Sequence, residues 1–398
     1  MNISEADIQR LINGSPPLDD ELLTAMTIGR EKWLDRMRSH YLEKYILNCG
    51  SKVKVLTGEQ GTGKTHLLRC VLSDAKSLEY ATVYLSARDC KLNDLASLYR
   101  AIIEQIDKEE LVTGLCRNVA SKFSKFISPE KYDPSELFVT NSHFLDTYPT
   151  RDEREKVILQ EVISLIKEVD LSSSFKTFIY RVTRSRMITD PASNIGIPLD
   201  WLSGRDVALR ERKALSLFDK LDRYNARDWL NSLIQLLKLS GKKGLIIAID
   251  DLEVITQKSL SSGKFFSKLL IMDVYELIRQ LIDDTEVLAH CLFLFAGDSA
   301  VIKDSVRGLK SYDALWIRLQ TGLSKSDKFN AFADLVDIDQ HLRSQGNDFS
   351  LRVGENLREI LDGVRIDLND YSHFDSSRSK SSDLQQQVIS AVCARSIR

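Results

Sequence analysis

Eight residues near the start of the chain have the types and the spacing that phosphate binding requires. Residues 58–65 read GEQGTGKT and match the pattern G-x-x-x-x-G-K-[ST]. Glycine at positions 58, 61 and 63 lets the backbone curl, so that successive N–H groups point into one concavity. We expect Lys64 to reach the β- and γ-phosphates of a nucleotide and the Thr65 hydroxyl to be a ligand of Mg²⁺. ATP and Mg²⁺ are therefore the predicted cofactors.

The segments on either side of this loop have the patterns of a strand and a helix. A mainly apolar stretch at 53–56 precedes the loop, and Leu67, Leu68, Val71 and Leu72 form an apolar helix face after it. A helix that begins at the loop adds its positive N-terminal partial charge to the site. This context makes a chance glycine-rich turn a poor alternative. The predicted nucleotide-binding residues of the loop are Gly58, Glu59, Gln60, Gly61, Thr62, Gly63, Lys64, Thr65 and His66.

A second stretch that could do chemistry reads GLIIAIDDLE at residues 244–253. Its apolar run fits a strand buried on both faces of a parallel sheet, and such sheets bind ligands at the carboxyl ends of their strands. We expect Asp250 to hold Mg²⁺, and Asp251 to orient or deprotonate the attacking water. Glu253 is the substitute for Asp251. The alternative, a strand that ends in a solvated turn, is disfavoured by the phosphate loop upstream.

Two further candidates for catalysis lie downstream. Asp298 or Ser299, after a third apolar strand at 291–297, could sense the γ-phosphate, although a helix N-cap explains either residue equally well. Arg318, in the segment 312–319, is a candidate arginine finger that reaches into the site of a neighbouring subunit. A surface arginine on an amphipathic helix is an equal alternative.

Residues 180–186, which read YRVTRSR, form the strongest local basic cluster of the chain. Arg181, Arg184 and Arg186, with Lys176 just before them, could contact the phosphate backbone of a nucleic acid. A solvated helix face explains the same residues and is the interpretation we favour. Because the chain has a net charge of −2, any nucleic acid would have to bind through a local patch.

The composition is that of a globular protein in a reducing compartment. Of 398 residues, 43% are hydrophobic and 28% are charged. The six cysteines are scattered without a C-x-x-C pair, and the six histidines do not cluster with them, which disfavours zinc and disulfides. The first residues are polar and acidic, unlike a signal peptide, and no run approaches the roughly 18 apolar residues of a membrane span. We therefore predict a cytoplasmic protein with no membrane partner.

The order of the patterns predicts an α/β fold with a parallel sheet and crossover helices. Strands are expected at 53–57, 81–85, 245–249, 291–295 and 331–338, and helices at 92–106, 111–126, 153–169, 208–239, 269–282 and 384–397. The predicted organisation is an N-terminal helical segment at 1–50, the first part of a P-loop ATPase core at 51–106, a mostly helical insertion at 107–240, the second part of the core at 241–340, and a partly flexible helical segment at 341–398.

Several segments together resemble one family. They are the turn Thr27–Glu31 ahead of an amphipathic helix, the phosphate loop, the strand 81–85 leading into 98–102, the segment LDWLSG at 199–204, the acidic strand at 243–253, and the segments 295–297 and 312–319. Their combination resembles the bacterial ATP-binding proteins of the BREX phage-defence system, the BrxD-type P-loop family of the AAA+ class near the origin-recognition ATPases. The resemblance covers about residues 25 to 330, and the segments 199–204 and 312–319 narrow it to this family.

The resemblance implies an AAA+-like P-loop NTPase that binds ATP with Mg²⁺ and hydrolyses it. It also implies a homo-oligomer with sites at subunit interfaces, which works on double-stranded DNA with other proteins of the defence system. In origin-recognition ATPases, the turn that matches Gly29 and Arg30 lies against the adenine. The family has Asp-Glu where this chain has Asp250-Asp251, and the shorter side chain of Asp251 disfavours rapid turnover. No convincing second sensor arginine follows Leu335.

Three hypotheses follow from these features. The favoured one is an oligomeric AAA+-like ATPase that acts on or near DNA in anti-phage defence. The second is an ATP-dependent conformational switch or scaffold with little hydrolysis, which Asp251 motivates. The third, a small-molecule kinase or a STAND-type signalling ATPase, is disfavoured by the long helical insertion and the short C-terminal part.

Overall fold

The part of the chain that the structure describes is organised around five parallel strands. A computed structural model describes residues 3–126, 141–189, 194–258, 263–320, 330, 332–346, 348–362 and 383–393. The strands are β1 (Ser51–Gly58), β2 (Ala81–Ser86), β3 (Leu245–Asp250), β4 (Cys291–Asp298) and β5 (Leu335–Asp337). They form one sheet in the order β2-β3-β4-β1-β5, and every neighbouring pair is parallel. The predicted parallel sheet is confirmed, with a last strand shorter than expected.

Helices surround this sheet. The described α-helices are α1 (Glu5–Ile12), α2 (Asp20–Ala25), α3 (Glu31–Arg36), α4 (Lys64–Ser77), α5 (Leu95–Glu104), α6 (Lys108–Ser121), α7 (Ser142–Thr147), α8 (Arg151–Lys167), α9 (Ser173–Arg184), α10 (Gly196–Leu202), α11 (Leu209–Leu215), α12 (Ala226–Leu239), α13 (Lys268–Asp283), α14 (Ala300–Lys303), α15 (Asp313–Gln320), α16 (Ile338–Ser344), α17 (Phe349–Ile360) and α18 (Asp383–Cys393). A π-helical segment, Met37–Ile46, continues α3, and a 3₁₀ turn, Leu252–Ile255, follows β3.

Different helices cover the two faces of the sheet. Helix α4 and the π-helical segment pack on one face, around Leu56, Leu68 and Leu294. Helices α5, α6, α9, α12 and α13 pack on the other face, in a core that includes Val55 and Phe295. Strand β3 is buried along its whole length, and β4 is buried up to its last residue. The continuous apolar runs of these two strands therefore place them in the centre of the sheet, as such runs predict.

Aromatic rings join the helices of residues 107–240 to the sheet layer. Trp229 of α12 lies 4.7 Å from Trp201 and 5.5 Å from Tyr99, measured between ring centroids. Phe175 of α9 meets the same Trp229 ring edge-on at 5.3 Å. The Tyr99 hydroxyl also donates a hydrogen bond to the Leu202 carbonyl at 2.8 Å. This cluster makes one continuous core from α5 to α12.

One predicted helix is wrong as a single element. The expected helix at 208–239 is two helices, because α11 ends at Leu215 and Ser216 takes a left-handed backbone with φ of +59°. Helix α12 begins only at Ala226. The boundaries of the predicted domains stay predictions. Residues 363–382 of the segment that is predicted to be partly flexible, and residues 394–397 of the last predicted helix, lie outside the described residues.

The first and last described helices pack against each other. Leu11 of α1 shares a buried cluster with Leu357 of α17 and Ala391 of α18. The side-chain amide of Asn356 donates a hydrogen bond to the Ala25 carbonyl at 2.8 Å. The described N-terminal helices α1 and α2 therefore pack beside the described C-terminal helices α17 and α18. Among the helices that the structure describes, none combines the length and the apolar character of a membrane span.

Candidate nucleotide-binding site

The phosphate-loop motif forms a tight turn between β1 and α4. Gly61 and Gly63 have φ angles of +81° and +90°, which residues with a side chain rarely adopt. At Gly58 there is no room for a side chain, since an added Cβ would lie 2.9 Å from Thr62 Oγ1 and from Asp339 Oδ1. The glycine spacing of the motif is therefore required by the conformation that the loop takes.

Lys64 is folded onto the backbone of the loop. Its Nζ atom donates hydrogen bonds to the carbonyls of Gly58 at 2.9 Å and Glu59 at 2.8 Å. Burial lowers the pKa of the Lys64 ammonium, and the charge of Glu253 opposes this shift. A cation held by two neutral carbonyls is well placed to exchange them for phosphate oxygens.

The structure brings Asp250 and Thr65 into contact, and their predicted role as ligands of Mg²⁺ stays a prediction. Thr65 Oγ1 donates a hydrogen bond of 2.6 Å to Asp250 Oδ2, which also accepts the Tyr84 hydroxyl at 2.9 Å. The backbone N–H of Asp251 donates to Asp250 Oδ1 at 2.9 Å. Asp250 is buried. A hydroxyl and a carboxylate from two elements thus form an oxygen-only group, which is the ligand chemistry that Mg²⁺ prefers.

Asp251 is tied to the end of β2. It has a left-handed backbone with φ of +60°, and its Oδ2 atom accepts the Ser86 hydroxyl at 2.7 Å. Arg88 Nε lies 3.1 Å from Asp251 Oδ1. A second nitrogen of the same guanidinium lies 3.1 Å from Glu253 Oε1. Arg88 therefore bridges the carboxylates of Asp251 and Glu253, which follow Asp250 in the sequence.

Glu253 is directed into the site because β3 ends at Asp250. The 3₁₀ turn Leu252–Ile255 breaks the strand alternation and brings Glu253 back towards β4, where its Oε2 atom accepts the Asp298 N–H at 3.1 Å. Burial raises the pKa of the Glu253 carboxyl. A partly buried carboxylate with a raised pKa is suited to accept a proton from water.

Asp298 lies beside the loop and bonds the first residue of the next helix, α14. It ends β4 in register with Gly58, and its Oδ1 atom accepts the Ala300 N–H at 2.7 Å. The Ser299 N–H donates to the Gly58 carbonyl at 3.0 Å. Asp298 lines the cavity, while Ser299 occupies the N-cap position of α14 without a side-chain capping bond. A role of either residue in sensing the γ-phosphate stays a prediction.

These groups surround one cavity of about 450 Å³. Its lining includes every loop residue from Gln60 to His66, together with Arg88, Asp250, Asp251, Glu253 and Asp298. Most of the remaining wall comes from the N-terminal part of the chain and from α17 and α18, and includes Asn13, Met26, Ile28, Phe349, Val353 and Val388. The volume falls in the usual range for small-molecule sites. The cavity therefore has a polar end at the loop and a mostly apolar end at the terminal helices.

The turn at Gly29 and Arg30 joins these two ends. Arg30 is buried, its Nη2 atom donates a hydrogen bond to the Thr62 carbonyl at 3.1 Å, and its guanidinium lies 5.3 Å from the centroid of the Phe349 ring. Burial lowers the pKa of Arg30 to about 10. His341 Nε2 contacts the Gly29 carbonyl at 3.0 Å. The turn thus connects the phosphate loop to α16 and α17.

Arg318 does not line this cavity within its own chain. Its Nε and Nη2 atoms pair with the Asp283 carboxylate at 2.5 and 2.9 Å, and its Nη1 atom donates to the Ala314 carbonyl at 2.6 Å. The arrangement is that of an ion pair between α13 and α15. A role in a neighbouring subunit stays a prediction.

The predicted basic cluster is partly neutralised. Arg184 pairs with Glu155 at 2.5 Å, and Arg186 pairs with Glu109 at 2.5 Å. Arg181 and Arg184 belong to α9, whose apolar face is buried. These contacts agree with the favoured solvated-face interpretation, and contact of the cluster with nucleic acid stays a prediction.

Sequence reasoning missed several residues of the site. Tyr84, Ser86 and Arg88 come from β2 and the turn after it, and Asp339 of α16 accepts the Glu59 N–H at 2.9 Å. No fixed spacing from the loop marks these positions. The one usable signal was their place at the carboxyl end of a parallel strand, where ligand-site residues concentrate.

The fold and the cavity define a class. A mixed α/β protein with a five-stranded parallel sheet among its described residues, and with a glycine-rich loop between β1 and α4, is consistent with a P-loop NTPase-like fold. The chain belongs to the family of BREX system ATP-binding proteins BrxC/D, whose family model matches residues 2–391. The resemblance inferred from the sequence is confirmed, and membership implies ATP binding in phage defence. Searches of curated proteins and of solved structures gave no match.

Proposed function

We propose that this protein binds ATP with Mg²⁺ in the cavity at the phosphate loop and hydrolyses it. The observation that carries the proposal is the convergence of Lys64, Thr65, Asp250 and Glu253 on one cavity. Lys64 and Thr65 come from the start of α4, Asp250 from the end of β3, and Glu253 from the 3₁₀ turn after it. Each has the chemistry of one part of a phosphoryl-transfer site. The apolar end of the cavity, near Gly29 and Arg30, takes the adenine.

The residues present fit a magnesium ion. The Thr65 hydroxyl and the Asp250 carboxylate lie 2.6 Å apart at the loop, and both are hard oxygen donors. When bound with ATP, Mg²⁺ neutralises charge on the β- and γ-phosphates. Thr65 and Asp250 are the residues that would hold it.

In the proposed reaction a water molecule attacks the γ-phosphorus and the bond to the β–γ bridging oxygen breaks. Glu253 accepts the proton of this water, since its carboxyl lines the cavity and partial burial raises its pKa. Lys64 and the loop N–H groups stabilise the negative charge on the phosphate oxygens. Asp251 keeps Arg88 in place, because Ser86 and Arg88 already occupy its carboxylate. Asp298 helps orient Glu253 through its backbone N–H.

We further propose an AAA+-like homo-oligomer in which Arg318 serves a neighbouring site. The order of the strands supports this class, because β4, which ends in Asp298, separates the loop strand from the acidic strand. Arg318 is paired with Asp283 within the chain, and that pair has to open before the guanidinium can reach a neighbour. The proposal also includes a cytoplasmic location, with double-stranded DNA and other defence proteins as partners. The location and the partners rest on the family alone.

A second candidate function is an ATP-dependent switch with little hydrolysis. Arg88 favours it, since its guanidinium lies 3.1 Å from both Asp251 and Glu253. A carboxylate held by a cation is a weaker base for water. In this version ATP binding changes the conformation that partner proteins recognise.

Steady-state ATP hydrolysis with and without double-stranded DNA separates these functions. The proposed ATPase turns over, is stimulated by DNA, and loses activity in Lys64→Ala. Loss of turnover in Arg318→Ala, with ATP binding retained, supports a site shared between subunits. Tight ATP binding without turnover under either condition favours the switch, and a folded chain that does not bind ATP contradicts both functions.

A further inference from the structure

Tyr84 contacts the carboxylate to which the proposed function assigns Mg²⁺. Its hydroxyl donates a hydrogen bond of 2.9 Å to Asp250 Oδ2, the same oxygen that accepts the Thr65 hydroxyl at 2.6 Å. Asp250 is only 5% exposed, so protein donors rather than bulk water surround its charge. The orientation of Asp250 therefore depends in part on a tyrosine outside the phosphate loop.

The backbone of Tyr84 is held by a side chain at the outer edge of the described sheet, where β2 has no neighbouring strand. Tyr84 lies in β2, the edge strand of the described sheet, and its outward backbone groups pair with one side chain instead. Gln105 Oε1 accepts the Tyr84 N–H at 3.0 Å, and Gln105 Nε2 donates to the Tyr84 carbonyl at 2.5 Å. The side-chain amide of Gln105 thus bonds both the N–H and the carbonyl of Tyr84 and holds its backbone in place.

The tyrosine ring is fixed by the helix that follows the phosphate loop. The guanidinium of Arg69 lies 3.8 Å from the centroid of the Tyr84 ring. Arg69 is four residues after Thr65, so both side chains lie on the same face of α4. Thr65, Asp250, Tyr84 and Arg69 therefore form a closed set of contacts between α4, β3 and β2.

The tyrosine hydroxyl acts as a donor under ordinary conditions. The ordinary pKa of a tyrosine hydroxyl is about 10. The hydroxyl therefore keeps its proton, and the bond to Asp250 is charge-assisted.

We propose that Tyr84 is a positioning residue for the Mg²⁺ site. Its hydroxyl fixes the orientation of Asp250 at the Thr65 side of the cavity. The inference rests on the proposed function and extends it to a residue that binds neither nucleotide nor metal. Removing the outer partner of a metal-site carboxylate costs roughly 10- to 100-fold in metal affinity. Because Asp250 keeps the Thr65 hydroxyl and the Asp251 N–H, we expect a loss of about tenfold, at the lower end of this range.

The test is Tyr84→Phe, which removes the hydroxyl and keeps the ring beside Arg69. Calorimetry on the full chain measures the affinity for the non-hydrolysable nucleotide AMP-PNP in EDTA and across a series of Mg²⁺ concentrations. Mg²⁺ is expected to increase the affinity for AMP-PNP. We expect the Mg²⁺ concentration that gives half of this increase to be about tenfold higher in the variant, with an unchanged affinity in EDTA. Tyr99→Phe is the matched control, since it loses a hydroxyl bond of 2.8 Å to Leu202 away from the cavity and should titrate like the wild type.

Each other result has a definite meaning. An unchanged Mg²⁺ requirement in Tyr84→Phe overturns the inference. An equal loss of affinity with and without Mg²⁺ also overturns it, because that result indicates a general structural role. A folded wild-type chain that binds no AMP-PNP, or binds it without any effect of Mg²⁺, contradicts the proposed function itself.

Discussion

At the residue scale, two carboxylates compete for the role of base, and their surroundings differ. Asp251 accepts the Ser86 hydroxyl and pairs with Arg88. Glu253 pairs with a second nitrogen of Arg88, but it also accepts the Asp298 N–H, and burial raises the pKa of its carboxyl. Asp251 is therefore held at the end of β2, whereas Glu253 is also held by β4, on the loop side of the cavity.

We predict that Glu253→Gln lowers the rate of ATP hydrolysis by roughly 10²- to 10⁴-fold, the usual contribution of a general base. Asp251→Asn should cost less than about tenfold, because it loses the pairing with Arg88 but not the proton acceptor. The left-handed backbone of Asp251 tolerates asparagine, so the variant is expected to fold. Phosphate release measures both rates, and calorimetry verifies that both variants still bind ATP. A larger loss in Asp251→Asn would reverse the assignment.

Part of this site could be predicted from local sequence. Lys64, Thr65 and Asp250 stand in patterns whose spacing is fixed by the loop and by the end of a strand. Arg88 and Tyr84 could not be found in this way, because their distance along the chain from the loop follows from the length of α4 and from strand pairing. The direction of Glu253 depended on where β3 ends, and strand ends are weakly marked in a sequence.

At the scale of elements, the turn at Gly29 is the joint between the N-terminal helices and the loop. Gly29 has φ of +68°, and its N–H donates to Glu31 Oε1 at 2.7 Å. An added Cβ would lie 2.7 Å from Phe349 Cε2 and 2.9 Å from Gln345 Oε1. Both the backbone conformation and the space therefore require glycine.

We predict that Gly29→Ala lowers the free energy of unfolding by about 2–5 kcal/mol, the sum of a left-handed backbone and a forced contact in a packed region. Gly241→Ala is the matched control, since Gly241 has φ of +98° and an added Cβ meets nothing within 4 Å. It should cost only about 1–2 kcal/mol. Urea unfolding measures both values. Equal costs would show that Phe349 and Gln345 do not pack on the turn as described.

The elements themselves were largely predictable. The apolar runs of β3 and β4 are long and continuous, so their positions in the sequence were clear. Strand β5 has three residues and carries little signal. The single helix expected at 208–239 failed because apolar spacing continues across Ser216, where the backbone turns left-handed.

At the scale of the whole molecule, both ends of the chain close the cavity around a buried cation. Arg30 donates a hydrogen bond to the Thr62 carbonyl of the loop, and its charge acts on His66 of α4 and on His341 of α16. Burial, followed by the charge of Arg30, lowers the pKa of each histidine to about 4. Such convergence could not be read from the sequence, because it depends on how α1, α17 and α18 pack and not on any local pattern.

These histidines predict a pH dependence of stability. In the unfolded chain their pKa is about 6.5, so between pH 6.5 and 4 the unfolded state binds more protons than the folded state. Stability should therefore fall as pH falls through this range. In the double variant His66→Asn, His341→Asn the fall should be smaller, as urea unfolding at pH 7.5 and pH 5 can measure. The same fall in both proteins would contradict the assigned protonation states.

The central claim is that the cavity at the phosphate loop binds ATP through Lys64. Calorimetric titration of ATP with Mg²⁺ into the full chain tests it most directly, with Lys64→Ala beside the wild type and circular dichroism to verify that both are folded. We predict saturable binding by the wild type and a loss of at least about tenfold in Lys64→Ala, because charge-assisted bonds to phosphate are among the strongest in such sites. Equal affinity in the two proteins, or no binding by the folded wild type, would contradict the claim.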